Sequence, residues 1–236
     1  MAGLALKGEA PSERPRVVLN MVATADGRAA IDGSTVGMGG PADRELFHEL
    51  RTQVDAVMVG ARTAAIERYG ALVRGEADRA KRRSEGLGAE PLACLVSARL
   101  RIPADLPLLG RAESRVVVAT AAPDAELAPA AAAVSYVRAP APEGRGVDLG
   151  ALLGALRVEH GVRSVLCEGG PELNHALLEA ALVDELFLSV VPAITADDDA
   201  PPIVAGPRLP TPIRMALTRV LEHDGHLFLR YRMRRS

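Results

Sequence analysis

Ser164-Val-Leu-Cys167-Glu168-Gly169-Gly170-Pro171-Glu172-Leu173 opens the stretch that decides the fold, which continues through Asn174-His-Ala-Leu-Leu-Glu-Ala-Ala-Leu182 to Val183-Asp184-Glu185-Leu-Phe-Leu-Ser-Val-Val191. Ser164–Cys167 is short, apolar and closely bounded, the pattern of a buried strand. Pro171 suits the first position of a helix, where an N–H is not needed. Leu173, Ala176, Leu177 and Ala180 then recur at helical spacing as an inward stripe. Glu185–Val191 is strand-like again. This is a strand–helix–strand unit, and its crossover should be right-handed. Glu168-Gly-Gly-Pro171 lies between strand and helix. Its two glycines let backbone N–H groups approach a ligand closely, and a helix N-terminus favours an anion. The same residues also make a tight strand-to-helix turn with a solvated Glu168. They are not the full G-x-G-x-x-G dinucleotide fingerprint.

Outward from this unit, Arg16-Val-Val-Leu-Asn-Met-Val22 predicts a buried strand, and Asp26-Gly27 and Asp32-Gly33 mark turns. Gly39-Gly40-Pro41 opens a helix in which Leu46, Leu50 and Val54 repeat at i, i+4, i+8. Asp55–Val59 is the next strand, ended by Gly60. Residues 70–90 are charged and Gly-rich and predict a long loop. Leu92–Val96 and Arg115–Ala119 are further strands. Ala121–Pro142 is rich in Ala and Pro; Ala130–Ala133 favours helix, and the nearby prolines oppose it. Asp148 can cap a helix carrying Leu149, Leu152, Leu153 and Leu156 on one face, with Gly161 placed to terminate it. Arg214–Glu222 and His226–Arg234 predict two strands joined at Asp224-Gly225, an antiparallel edge on a mostly parallel sheet. Without an internal repeat or a linker, the chain reads as a flexible leader over 1–14 and a single α/β domain over 15–236.

Composition narrows the function classes. The 236 residues are 48% hydrophobic and 25% charged, with net charge −2, ordinary for a soluble globular protein. No global charge draws it to nucleic acid or to an anionic membrane. The absence of Trp, with three Tyr and three Phe, argues against base-stacking platforms. Arg79, Lys81, Arg82 and Arg83, and then Arg230, Arg232, Arg234 and Arg235, read as solvated surface and a basic tail. Met1–Arg14 has no stretch suited to a signal peptide, and no run approaches the ~20 apolar residues of a membrane span. Cys94 and Cys167 stand alone in apolar runs, where reduced, buried thiols are expected. A cytoplasmic protein follows as the expectation. His48, His160, His175, His223 and His226 show no metal spacing, and no metal is expected.

Two further turns can meet phosphate or simply punctuate the chain. Gly37-Met-Gly-Gly-Pro41 precedes a helix. Val59-Gly60-Ala61-Arg62-Thr63 again runs strand, Gly, helix, with Thr63 as an anion contact or as an ordinary cap.

Taken jointly, Asn20-Met-Val-Ala-Thr-Ala-Asp-Gly-Arg28, Gly40-Pro41 through Arg51, Asp55–Gly60 with Thr63, and Glu168-Gly-Gly-Pro171 through Leu182-Val-Asp-Glu-Leu186 and Pro192 resemble a known family. It is the reductase domain of the bifunctional riboflavin-biosynthesis deaminase–reductase and its free-standing relatives, and the resemblance covers roughly residues 15–235. It implies a dihydrofolate-reductase-like three-layer sandwich, NADPH as cofactor and a homodimer. It also implies a small-molecule substrate, an aminopyrimidine carrying a ribose phosphate, whose ribosyl group is reduced to ribityl. No His-x-Glu with Pro-Cys-x-x-Cys is present, so the zinc deaminase half is missing.

Carried over by position, the resemblance makes Ala23, Thr63, Glu67, Ser97, Gly169, Gly170, Pro171, Glu172 and Leu173 cofactor contacts. It makes Arg51, Arg74 and Glu168 substrate contacts, the arginines suiting a phosphate because a guanidinium forks onto it bidentately. Glu67 or Glu168 then assists proton movement. The chain departs from the family where its usual Ala-Asp-Asp-Pro is Ile66-Glu67-Arg68-Tyr69, and where Gly37 replaces a flap Trp. These departures border the substrate pocket. They leave two alternatives beside the pyrimidine reductase: a dihydrofolate or pterin reductase of the same fold, and a non-catalytic nucleotide-binding protein.

Overall fold

Apolar runs punctuated by Gly, Pro and Asp yield nine strands and five α-helices among the described residues. The computed structural model describes residues 6, 8–35, 37–142, 144 and 146–234. Residues 1–5 and 7 of the expected leader and Arg235 of the basic tail lie outside the described residues. The chain divides into two compact units, Met1–Arg16 with His48–Leu166, and Val17–Phe47 with Cys167–Ser236.

In the first unit, β2 (Ala56–Gly60), β3 (Leu92–Val96), β4 (Arg115–Thr120), β5 (Ala133–Arg138) and β6 (Ser164–Cys167) lie in the order β5-β4-β3-β2-β6. The pairs β2–β3, β3–β4 and β4–β5 are parallel. Buried Val57, Met58, Val59, Cys94, Leu95, Val116, Val117 and Val118 fill these strands, near-continuous apolar runs of the kind that parallel sheets bury on both faces. The helix α4 (Leu149–Val158) buries Leu149, Leu152, Leu153 and Leu156, and Asp148 caps it by accepting from Ala151 N at 2.9 Å. Asp55 fixes the start of β6: its Oδ2 accepts from Ser164 N at 2.9 Å and from Ser164 Oγ at 2.7 Å.

The structure departs from the sequence expectation in two places here. Residues 70–90 are not all loop, for Glu76–Ser84 forms a helix, α3. It has Glu76 and Asp78 in its first turn and Lys81, Arg82 and Arg83 in its last, complementing the helix dipole. Periodicity missed it because it has no apolar stripe: its one buried side chain is Arg82, not a solvated one as expected. The Ala-rich run near 130 leads into β5 rather than a helix. β5 is an edge strand of alternating exposure, and prolines near it disturb no central ladder.

The second unit is built on β1 (Arg16–Thr24), β7 (Glu185–Val191), β8 (Met215–His223) and β9 (His226–Met233), in the order β1-β7-β9-β8. β1 and β7 are parallel; β7–β9 and β9–β8 are antiparallel. The hairpin turns at Asp224 (φ 50°) and Gly225 (φ 76°), the two positive φ values a type I′ turn requires. The helix α5 (Pro171–Glu179) buries Leu173 and Leu177 as expected, but also Asn174 and His175, while Ala180 is exposed.

The Leu182-Val-Asp-Glu-Leu186 piece has a structural task. Asp184 Oδ2 accepts from Val17 N at 2.8 Å, its N–H donates to Val17 O at 2.9 Å, and its carbonyl accepts from Met233 N at 2.9 Å. One residue therefore joins the start of β1, the start of β7 and the end of β9. Glu185 pairs with Arg230 of β9 at 2.7 Å, and that guanidinium lies over the Phe187 ring at 5.1 Å. Asp184→Ala strands the N–H of Val17, itself fully buried, and is expected to cost about 1–3 kcal/mol of stability. A urea midpoint that does not move would show that this N–H finds another acceptor.

Candidate functional site

In the second unit the Glu168–Pro171 turn is built from both neighbours. Glu168 follows β6 and is 7% exposed. Gly169 has φ +93°, and a Cβ there would lie 3.3 Å from Met21 Cε, so both backbone and space call for glycine. Gly170 is the N-cap of α5 and, being glycine, brings no side-chain acceptor of its own to the first-turn N–H groups. A phosphate oxygen is the kind of acceptor such a helix start takes. Burial pushes the Cys167 thiol up to about 12, which keeps it protonated and unreactive.

Behind the turn stands a residue that sequence reasoning missed. Asn174 is fully buried; its Nδ2 donates to Ile203 O at 2.7 Å and lies 3.1 Å from Met21 Sδ. The His175 ring meets Pro207 O at 2.6 Å, and Ala205 N donates to Pro171 O at 3.1 Å. A Cβ on Gly206 would collide with the His175 ring. Residues 203–207 thus strap the first turns of α5. Asp26 and Arg28 hold the preceding loop. Asp26 accepts from Ala196 N at 2.9 Å and Thr195 N at 3.3 Å, while Arg28 pairs with Asp198 at 3.0 Å and donates to Ala200 O at 3.2 Å. The Thr24 hydroxyl, then the Ala196 amide, hold the Asp26 carboxyl below its usual range. The Asp-Gly-Arg piece is therefore scaffold. Ala23, at the buried end of β1, sits opposite Val190 of β7.

The Gly37–Pro41 turn opens a helix, α1 (Pro41–Arg51), but it carries its own carboxylate. The place of a Gly39 Cβ is taken by the side chain of Asp43. Burial raises the Asp43 carboxyl above its usual range; Ser189 of β7 and the charge of His226 on β9 oppose that shift. A carboxylate at the helix start disfavours a bound anion there. Sequence reasoning overlooked Asp43 because an Asp in the first turn of a helix is ordinary.

In the first unit, Arg51 ends α1 and is only 5% exposed. Its Nη1 donates to Leu72 O at 3.3 Å and its guanidinium lies over the Tyr69 ring at 5.3 Å. Tyr69, part of the departure from the family's usual segment, is thereby given a use as the platform for Arg51. Arg74 is exposed two residues beyond Leu72; its N–H donates to Asp78 Oδ2 at 3.0 Å and its Nε lies 3.7 Å from the same oxygen. One loop thus carries Arg74 and holds Arg51. Thr63 is half-buried on α2 (Ala61–Ile66), and its carbonyl accepts from the N–H of Glu67, the half-buried C-cap. Ser97 is buried, and its Oγ accepts from Arg101 N at 2.8 Å, closing a turn. The expected site residues therefore cluster as Glu168–Leu173 in one unit and as Arg51 with the Leu72–Arg74 loop in the other; Ser97 stands in a turn of its own. Among the described residues, no group of His, Cys, Asp or Glu is placed to hold a metal, and no helix is long and apolar enough to cross a membrane.

Known proteins share this architecture. The sequence is 30% identical over 222 residues to the 2,5-diamino-6-ribosylamino-4(3H)-pyrimidinone 5′-phosphate reductase of Methanothermobacter thermautotrophicus, covering 92% of this chain and 98% of that one. It is 30% identical over 196 residues to the reductase of the same name from Archaeoglobus fulgidus, covering 82% and 87%. A pyrimidine reductase-like protein of Corynebacterium diphtheriae superposes with TM-score 0.76 at 23% identity, covering 94% of this chain and 93% of that one. Acinetobacter baumannii RibD gives 0.75 at 25%, covering 94% of this chain and 59% of the other. The fold is the dihydrofolate-reductase-like one of these reductase domains, as the sequence led us to expect. The RibD C-terminal domain family matches residues 15–228, and with that match the chain belongs to this family.

Proposed function

We propose that this protein is an NADPH-dependent oxidoreductase of riboflavin biosynthesis that reduces the ribosyl group of a phosphoribosylaminopyrimidine to ribityl. The observation that carries this reading is the near end-to-end likeness to a free-standing reductase of that substrate class, at 30% identity. The pyrimidinone phosphate named for these relatives is the first substrate to try. When bound, the nicotinamide supplies a hydride to the ring-opened ribose carbon, and the net reaction consumes one proton.

This chain's residues supply binding, orientation and a proton path. Gly169 and Gly170, with Pro171, Glu172 and Leu173, hold cofactor phosphates at the start of α5, a helix N-terminus whose N-cap glycine brings no side-chain acceptor being the feature that fits them. Ala23, Thr63, Glu67 and Ser97 complete the cofactor contacts, although the Ser97 hydroxyl already closes its own turn. Arg51 and Arg74 take the substrate phosphate. Glu168, buried, contacts the substrate, and either it or Glu67 moves the proton during ring opening, an effect worth typically ~10²–10⁴-fold. The two buried cysteines, Cys94 and Cys167, suit a reducing cytoplasm. Met215, Leu217, Val220 and Leu221 of β8 are exposed apolar residues on an outermost strand, and we assign them to a homodimer interface.

Three measurements check these assignments. Asp is a favoured N-cap, so Gly170→Asp should leave α5 folded while setting a carboxylate against the cofactor phosphates. NADPH affinity should then fall at least roughly tenfold; a titration matching wild type would remove the turn from the cofactor site. Arg51→Ala should lower kcat/KM for the phosphorylated substrate about 10–150-fold, the loss of a charge-assisted contact worth ~1.5–3 kcal/mol. NADPH affinity should hardly change, and undiminished turnover by both Arg51→Ala and Arg74→Ala would refute the phosphate assignment. Light scattering should give twice the 24.8 kDa chain mass; a monomer at micromolar concentration would contradict the dimer.

A further inference from the structure

Arg82 is the most deeply buried charge among the described residues. It lies on α3, is 0% exposed, and neither catalysis nor binding as proposed above uses it. Its Nε donates to Gly88 O at 2.8 Å. Its Nη1 donates to Arg51 O at 2.7 Å and to Val54 O at 2.8 Å. Burial lowers its pKa to about 10, with Asp55 and Glu90 opposing that shift, so it stays charged at neutral pH. Burying a guanidinium is expensive, and three carbonyl acceptors are what make it tolerable.

What those carbonyls belong to gives the residue its meaning. Arg51 O and Val54 O flank the point where α1 ends and the chain turns toward β2. Carbonyls at a helix end have no intrahelical partner, and Arg82 supplies one. A second contact joins the same two helices, Lys81 Nζ to Glu49 Oε2 at 2.6 Å. At its other end α3 begins beside Arg74, whose N–H is held by Asp78 at 3.0 Å. Arg51 in turn grips Leu72 O, two residues before Arg74. The helix α3 therefore fixes one arginine from its last turn and the other from its first.

Resting on the phosphate assignment for Arg51 and Arg74, we propose that Arg82 is a positioning residue that sets the backbone of Arg51, and hence the arginine pair, for the substrate's phosphate. A displaced Arg51 backbone carries the guanidinium off Tyr69 and Leu72. Geometry at such a clamp matters steeply, since a small misplacement costs orientation as well as contact. Arg82 touches neither substrate nor cofactor, so its loss appears in KM for the phosphorylated substrate.

The experiment is a double-mutant cycle on the full chain, following NADPH oxidation with the phosphorylated ribosylaminopyrimidine and with its dephosphorylated form. Arg82→Met should raise KM for the phosphorylated substrate about tenfold, with kcat within about twofold and KM for NADPH unchanged. Arg82→Lys keeps the charge but not the planar fork, and should recover part of the loss, to about threefold. In an Arg51→Ala background either change should add less than about twofold, because the group it positions is gone. If Arg82→Met does not fold, Arg82→Lys carries the same cycle. Effects that are equal with and without Arg51, or equal on both substrates, overturn the inference while leaving the phosphate assignment standing. An Arg51→Ala enzyme that still favours the phosphorylated substrate as wild type does refutes the phosphate assignment itself, and this inference falls with it.

Discussion

Three strands of the second unit meet at the backbone and carboxylate of Asp184, which binds Val17 in both directions and receives Met233 N. Strand register is unforgiving, because a slip of one residue turns every side chain to the opposite face. With Asp184 fixed against Val17, Val18 pairs Glu185 and the ladder runs on until Ala23 pairs Val190 and Thr24 pairs Val191. That register sets where β1 ends, and the Asp26 turn follows two residues later. From there Asp26 and Arg28 hold residues 195–200, and the strap over α5 begins at Ile203. The geometry of the Glu168–Pro171 turn thus descends from an ion-and-amide knot at the opposite end of the strands. Asp-Gly-Arg and Val-Asp-Glu, which look like chemistry in a sequence, work as fasteners.

The parts legible in the sequence were those where one physical cause dominated. Ser164–Cys167, Glu185–Val191 and Leu92–Val96 are strands because continuous apolar runs leave few alternatives, and Asp224-Gly225 is a hairpin because both residues tolerate positive φ. The helix α3 was illegible because a helix without an apolar stripe has no period to detect; its stability comes from terminal charge and from Arg82. β5 was illegible because edge strands alternate weakly and tolerate nearby prolines. Among site residues, the glycines of the Glu168–Pro171 turn announced themselves by type and by place between strand and helix. Asn174 and Asp43 did not, since what distinguishes them is full burial in one case and a side chain seated against Gly39 in the other, and single residues on a helix do not advertise either.

Two charged groups, one buried and one half-buried, illustrate different solutions to the same cost. Arg82 keeps its charge and gives its Nε and Nη1 to three carbonyl oxygens from two segments, so part of the desolvation is offset by hydrogen bonds. Asp43 is eased toward its neutral form by burial, its departure checked by Ser189, His226 and Arg44. A carboxyl whose folded-state pKa lies above its unfolded one favours folding when protonated, so its contribution weakens as pH rises through the folded value. The Gly39 backbone is left without a Cβ where the Asp43 side chain lies.

Where the chain departs from its family, the altered residues form a substitute rather than a gap. Ile66-Glu67-Arg68-Tyr69 replaces an acidic Asp-Asp-Pro segment, and a Pro lost there removes a fixed φ and restores an N–H donor. Tyr69 uses its N–H on Ala64 O at 2.9 Å, its carbonyl on Leu108 N at 2.9 Å and its ring beneath Arg51. Arg68 takes the left-handed turn at φ 47° and reaches Asp105 at 3.4 Å. In this chain the loop is stiffened by hydrogen bonds and a stacked cation. Arg51 is held at its side chain by Tyr69 and Leu72 O. Its backbone carbonyl, with that of Val54, is held by Arg82 of α3, so the tyrosine and the buried arginine hold the same residue by its two ends.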